Sequence, residues 1–143
     1  MDRVGPRLAR AHPLVRWAAA LAWAGLLVAL MLLPADAVRA LYPFRGSELT
    51  DAAGHVVLLG VLVALWWWAL VVRLASWRAL AVAGGIGLAL GVVTEVGQLL
   101  LPARGASPLD LAANLLGVGL AVLLIGRRAG VLRDLQEDVI AEE

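Results

Sequence analysis

The sequence predicts an all-α fold: a bundle of four transmembrane helices with both termini cytoplasmic. Of the 143 residues, 62% are hydrophobic and 16% are charged, whereas a soluble domain is about half apolar and a quarter charged. The hydrophobic residues form four long blocks instead of the periodic patterns of soluble helices or strands. All twelve basic residues are arginines, and most of them lie between or beyond these blocks. There is no cysteine, which excludes disulfides and thiolate metal sites.

The four apolar blocks give the predicted spans. They cover residues 17–33, 52–72, 79–101 and 109–125. A helix needs about 20 apolar residues to cross a hydrocarbon core of roughly 30 Å. The continuous blocks exclude a transmembrane barrel, whose strands show short alternating segments. Residues 1–126 are therefore the predicted four-helix membrane domain, and residues 127–143 a charged cytoplasmic tail.

The arginines orient the spans. Nine of them lie before the first span, between the second and third, or after the fourth, and three lie in the other two connections. By the positive-inside rule, the side with nine arginines is cytoplasmic. Trp17 and Trp77 fit interfacial anchors at the cytoplasmic ends. An alternative for the first block is a cleaved signal peptide with a small-residue site at residues 35–37, although its 17 residues exceed the usual length of such an apolar region.

Polar residues inside the spans are the candidate functional residues, because burying them costs free energy unless they are paired or hydrated. They form pairs spaced by three or four residues, which puts each pair on one helix face. The pairs are Asp51 with His55, Glu95 with Gln98, and Asp110 with Asn114. All of them fall in the predicted extracytoplasmic half. Gly87 and Gly91, on the Glu95 face, permit close helix contact.

Helix capping is a structural alternative for several of these residues. Ser107, Pro108 and Asp110 fit a capping box at the start of the fourth span. Thr50 and Asp51 fit a cap on the second span.

The remaining polar residues have structural alternatives as well. Gln98 and Asn114 fit interhelical hydrogen-bonding partners, and His55 fits a packed neutral histidine. Glu95 is harder to explain, because a carboxylate inside a span must be protonated, paired or hydrated. Its structural alternative is an ion pair with Arg104 that pins the hairpin between the third and fourth spans.

The same residues predict a binding site. Arg104 precedes the N-terminus of the fourth span, and a guanidinium beside free backbone N–H groups favours an anion such as a lipid phosphate. For catalysis, His55 and Glu95 are the candidate base and acid, with Arg104 as the clamp. No nucleophile elbow or zinc-binding His pair is present. The sequence therefore predicts no metal and no cofactor, and it leaves open whether the protein is an enzyme.

Two stretches resemble the VanZ-like family of small bacterial four-helix membrane proteins. Residues 50–55, TDAAGH, are similar to the family's Asp-Lys-x-x-His-Phe start of the second helix, with Ala52 and Val56 replacing its Lys and its aromatic residue. The hairpin over residues 94–117 is similar at every polar position. Its matching residues are Glu95, Gln98, Pro102, Arg104, Ser107, Asp110, Asn114 and Gly117.

The resemblance implies a multi-pass protein of the bacterial cytoplasmic (inner) membrane, related to an accessory protein of low-level teicoplanin resistance whose biochemical activity is not established. Teicoplanin acts at the outer face of the membrane, the side to which the predicted cluster belongs. We expect binding of an anionic lipid or a lipid-linked envelope-precursor head group, through Asp51, His55, Glu95, Gln98, Arg104, Ser107, Asp110 and Asn114. The alternatives are an enzyme acting on such a lipid and a structural module that associates through its glycine faces. No nucleic-acid partner is expected, and the oligomeric state stays open.

Overall fold

The computed structural model describes residues 11–34, 37, 40, 48–101 and 107–131. Within them lie four long helices: α1 (Pro13–Leu32), α2 (Glu48–Leu70), α3 (Ser76–Leu99) and α4 (Pro108–Ala129). Each helix has 20 to 24 residues and is long and apolar enough to cross a membrane. The prediction of an all-α fold with four membrane-length helices is confirmed for this part of the chain.

Each helix begins one to four residues before its apolar block, and α4 also continues past the end of its block. α2 begins at Glu48, so Thr50 and Asp51 lie within its first turns and neither is its N-cap. α4 continues to Ala129 and ends at Gly130, whose φ of 70° is the left-handed conformation that favours glycine at a helix end. Apolar blocks underestimate helix length because a helical backbone continues into the head-group region, where charged side chains are solvated.

The helices alternate in direction. At one end, Gln98 near the end of α3 contacts Met31 near the end of α1, and His55 of α2 contacts Asn114 of α4. We call this the polar end; α1 and α3 finish here, and α2 and α4 start here. The opposite, arginine end carries Arg16, Arg73, Arg78, Arg127 and Arg128.

α2 and α4 form the most extensive interface, and their backbones touch at Gly117. A Cβ atom at Gly117 would lie 2.5 Å from the carbonyl oxygen of Val56 and 2.9 Å from its Cα. Gly60 of α2 faces the same crossing, since a Cβ there would lie 3.5 Å from the Gly117 oxygen. Small residues allow this close approach in membranes, where van der Waals packing replaces the hydrophobic effect between helices.

The glycine face of α3 is buried inside the bundle. A Cβ at Gly87 would lie 2.8 Å from a methyl group of Val63 and 3.0 Å from one of Val118. A Cβ at Gly91 would lie 3.2 Å from the Asn114 Cβ. The expected small-residue contact therefore occurs within the chain. This face of α3 is occupied by α2 and α4 of the same chain.

The interior between the two ends is apolar, and so is the outer surface. Buried leucine, valine and alanine side chains from all four helices form one core, which includes Leu27, Leu59, Leu62, Val63 and Val118. Large apolar side chains also cover the outside of the bundle; Val93, Leu115 and Leu124 are each more than half exposed. A bundle that is apolar inside and outside fits lipid as its solvent.

We predict that Gly117→Ala lowers the free energy of unfolding by about 1–3 kcal/mol, because the added methyl group forces the α2 and α4 backbones apart. Gly119→Ala is the matched control, since a Cβ at this position meets nothing within 4 Å. Thermal unfolding of the detergent-solubilised variants measures both effects. Equal stability of the two variants would contradict the backbone contact.

Candidate functional site

The buried polar side chains of the spans gather toward the polar end of the bundle. His55, Thr94, Glu95, Gln98 and Asn114 are each no more than 7% exposed. We call these five residues the polar cluster. They come from α2, α3 and α4, as the helix-face spacing predicted, and each of them forms a hydrogen bond.

Asn114 connects three helices through both of its polar atoms. Its Nδ2 donates to the Gly91 carbonyl oxygen of α3 at 3.2 Å, and its Oδ1 lies 2.9 Å from His55 Nδ1 of α2. A carbonyl oxygen only accepts hydrogen bonds, so the Asn114 amide nitrogen must face Gly91 and its oxygen must face His55. The ring proton of a neutral His55 then sits on Nδ1, which leaves Nε2 as an acceptor.

Glu95 binds the start of α4. Its Oε1 accepts a hydrogen bond of 2.6 Å from the backbone N–H of Ser107, the N-cap of that helix. The Ser107 Oγ in turn accepts from the Leu109 backbone N–H at 3.2 Å. A carboxylate at a helix N-terminus is stabilised by the free N–H groups and the helix dipole.

This arrangement modifies the expected capping box. Ser107 is the N-cap and Pro108 follows it, as predicted. In a capping box the third helical residue accepts from the N-cap N–H, but here Glu95 of α3 takes that place. Asp110 is half-buried in the first turn, and its carboxylate has no hydrogen bond to any residue of the described ranges.

The second carboxylate oxygen of Glu95 has no hydrogen-bonding partner among the residues that the structure describes. Oε2 is buried, and the whole residue is 7% exposed. A buried acceptor without a donor costs free energy, and more when it carries charge. The carboxylate is also nearer the helix end than the apolar block suggested, because Glu95 lies only four residues before Leu99, a rise of about 6 Å.

Gln98 and Thr94 form hydrogen bonds with backbone carbonyl oxygens and so have structural roles. Gln98 Nε2 donates to the Met31 carbonyl oxygen at 2.9 Å and so attaches the end of α1 to α3. The Thr94 hydroxyl bonds to carbonyl oxygens one turn back on its own helix, those of Leu90 at 2.8 Å and Gly91 at 3.1 Å. The interhelical hydrogen-bonding role is therefore observed for both Gln98 and Asn114.

Two of the predicted site residues lie at the margin of the cluster or beyond the described ranges. Asp51 is half-buried in the first turns of α2, one turn before His55, and it has an interaction partner. Arg104, the predicted anion clamp and possible partner of Glu95, falls in residues 102–106, outside the described part of the chain.

The polar cluster does not continue through the bundle. On the arginine side of Gly91, the buried residues of the described part of α3 are Gly87, Gly84, Ala83, Leu80 and Ala79. The corresponding buried residues of α2 and α4 are equally apolar, such as Leu62 and Val118. The described residues therefore form a polar site closed on one side, with no polar path across the membrane.

Arg16 forms a second buried polar contact, at the arginine end, that the sequence alone did not single out. It is 5% exposed. Its side chain donates to the carbonyl oxygens of Ala11 at 3.3 Å and Trp68 at 3.2 Å, and its guanidinium lies 5.1 Å from the centre of the Trp68 ring. Two sequence features could have indicated this contact: Arg16 directly precedes the first apolar span, and α2 has a run of tryptophans near its end. This contact attaches the start of α1 to the end of α2.

Comparisons of the chain with known protein families, with curated proteins and with solved structures find no match. The resemblance to the VanZ-like family therefore remains a prediction based on the two stretches described above.

We predict that the neutral His55 ring carries its proton on Nδ1. The chain has two histidines, so the side-chain ¹⁵N NMR signals of the wild type and a His12→Gln variant assign the ring unambiguously. Asn114→Leu should abolish the preference for this tautomer, because it removes the acceptor that faces Nδ1. Protonation on Nε2 in the wild type would contradict the arrangement.

Proposed function

We propose that the protein is a multi-pass protein of the bacterial cytoplasmic membrane whose polar end binds a phosphate-bearing head group, that of an anionic lipid or a lipid-linked envelope precursor. In this proposal the arginine end faces the cytoplasm and both termini lie inside. Binding takes place in the outer leaflet, where the occupant's head group reaches the polar cluster and its acyl chains lie along the apolar outside of the bundle.

One observation carries the proposal: the buried Oε2 of Glu95 has no donor from the described residues. Its partner oxygen is held in place by the Ser107 N–H, so the carboxylate is fixed in orientation. Ionisable residues within membrane spans mark functional sites in most membrane proteins because their burial is costly. A donor supplied by a head group removes that cost.

The phosphate of the ligand is assigned to Arg104. The N–H of Ser107, one of the donors that an anion would use at the start of α4, is already bonded to Glu95. An incoming phosphate therefore needs a charged donor besides the helix N-terminus, and guanidinium groups bind phosphate through two parallel hydrogen bonds. Arg104 is the one arginine of the hairpin sequence between α3 and α4.

The VanZ-like resemblance extends the proposal to drug susceptibility. A head group held by this protein would be less accessible to an amphiphilic glycopeptide of the teicoplanin kind, which acts on cell-wall precursor at the outer face of the membrane. Support for this step comes from the hairpin motif at residues 94–117 and from the location of the polar cluster opposite the arginine end.

An enzyme acting on a lipid or lipid-linked precursor is the second candidate. It is favoured by one observation: Asn114 orients the His55 ring, which leaves Nε2 as an acceptor. A histidine nitrogen held in this way is suited to take a proton from a hydroxyl group or water. This candidate predicts a changed lipid mass that depends on both His55 and Glu95.

The topology is tested by labelling single cysteines, since the chain has none of its own. Glu48 at the polar end and Ala75 at the arginine end are both exposed. We expect a membrane-impermeant maleimide to label Glu48→Cys in intact cells and to label Ala75→Cys only after permeabilisation. The reverse pattern would invert the orientation and place the polar end in the inner leaflet.

The binding function is tested by native mass spectrometry of the purified wild type and Glu95→Gln after incubation with an envelope lipid extract. The substituted side chain retains an oxygen for the Ser107 N–H but replaces the free acceptor with an amide nitrogen. We therefore expect the fold to survive and lipid retention to fall about tenfold or more. Glu48→Gln, which makes the same chemical change at an exposed position, should retain lipid as the wild type does.

The outcomes of this experiment separate the candidates. If the wild type and Glu48→Gln retain an unchanged lipid and Glu95→Gln does not, the result supports a binding protein. Conversion of a lipid by the wild type alone supports the enzyme. Equal retention by all three proteins would contradict a role for Glu95 in either function.

A further inference from the structure

The polar cluster presents two acceptors to a ligand, beside the second N–H groups of Asn114 Nδ2 and Gln98 Nε2, each of which donates once in the described structure. Asn114 Nδ2 donates to Gly91, Gln98 Nε2 donates to Met31, and the Thr94 hydroxyl donates within its own helix. His55 Nδ1 faces Asn114 Oδ1. The acceptors left over include Oε2 of Glu95 and, in the tautomer fixed by Asn114, Nε2 of His55.

These two acceptors lie about one helical turn apart in depth. Asn114 joins His55 to Gly91, and Gly91 precedes Glu95 by four residues on α3, a rise of about 6 Å. The carboxylate is therefore the acceptor nearer the end of the bundle, where a head group arrives first. The imidazole lies one turn deeper, on the apolar side.

Charge favours an ammonium group over a hydroxyl group as the donor to Glu95. The single hydrogen bond that the carboxylate accepts from the described residues comes from a neutral backbone N–H, that of Ser107. No cationic side chain of the described residues pairs with it. A buried carboxylate is stabilised far more by a cation that also donates hydrogen bonds than by a neutral donor.

We infer that the head group bound at the polar end carries a primary ammonium group, which donates to Oε2 of Glu95. The inference rests on the proposed function and specifies the ligand of that site. It narrows the phosphate-bearing head groups of that proposal to those that also carry a primary amine, including zwitterionic ones.

The experiment compares lipids that differ at one group. The full-length protein is incubated with phosphatidylethanolamine, phosphatidylcholine and phosphatidylglycerol of identical acyl chains, and native mass spectrometry measures the lipid retained. Phosphatidylcholine keeps the positive charge and the phosphate but has no N–H donor. Phosphatidylglycerol offers hydroxyl donors without a positive charge.

We expect the wild type to retain phosphatidylethanolamine about tenfold more strongly than phosphatidylcholine, and more strongly than phosphatidylglycerol. Glu95→Gln should remove this preference, and Glu48→Gln should keep it. The wild-type comparison requires no substitution, so it tests the inference even if Glu95→Gln unfolds.

Four results would overturn the inference. Equal retention of phosphatidylethanolamine and phosphatidylcholine by the wild type excludes the ammonium donor, and so does a preference that survives in Glu95→Gln. Glu95-dependent retention of phosphatidylglycerol alone would refute the ammonium group while leaving the proposed head-group binding intact. If no phospholipid and no component of the envelope extract is retained in a Glu95-dependent way, both proposals fail.

Discussion

The structure depends on one constraint: hydrocarbon offers no hydrogen-bonding partners, so burying a polar side chain of a membrane span costs free energy unless it finds a partner inside the protein. Asn114, Gln98 and Thr94 meet this constraint with carbonyl oxygens of α1 and α3. Glu95 meets it for one of its two carboxylate oxygens, through the start of α4. The remaining oxygen is the exception within the polar cluster, and for that reason it is the atom to which we assign a ligand.

Close helix packing brings the donors and acceptors of these hydrogen bonds within reach of each other. The Asn114 amide reaches a backbone carbonyl of α3 because Gly91 has no side chain in the way; a Cβ there would stand 3.2 Å from the Asn114 Cβ. At Gly117 the α2 and α4 backbones are in direct contact, which brings His55 within 2.9 Å of Asn114. The glycines and the polar residues therefore act together, since neither would form the cluster alone.

The two ends of the bundle differ in their contacts and charges. The arginine end contains the contacts that attach α1 to α2, above all Arg16 with Trp68, and the charges that favour a cytoplasmic location. The polar end contains the incompletely satisfied carboxylate. The apolar core between them separates the polar end from the opposite side of the bundle.

The four helices and every member of the polar cluster except Thr94 could be predicted from the sequence, because long apolar blocks and helical spacing are local signals. The hydrogen-bonding partners could not. Ser107 and Asp110 match a capping motif locally, yet the carboxylate that accepts from the Ser107 N–H comes from Glu95 on another helix. Similarly, the spacing of Glu95 and Gln98 puts both on one face, but it does not reveal that Gln98 binds α1 while Glu95 binds α4. These partners depend on how the helices cross, which the spacing of residues along one helix does not determine.

The central claim is that the Glu95 carboxyl group contacts a phosphate-bearing head group at the polar end. Solid-state NMR of the glutamate-labelled protein in a phospholipid bilayer tests this contact directly, through the dipolar coupling between side-chain ¹³C and lipid ³¹P. The Glu95 carboxyl signal is identified as the one that disappears in Glu95→Gln, and we expect lipid phosphorus to dephase it. A Leu62 methyl group in the apolar core, labelled as a control, should not be dephased. A Glu95 signal with no phosphorus coupling in bilayers that contain the envelope lipids would contradict the account.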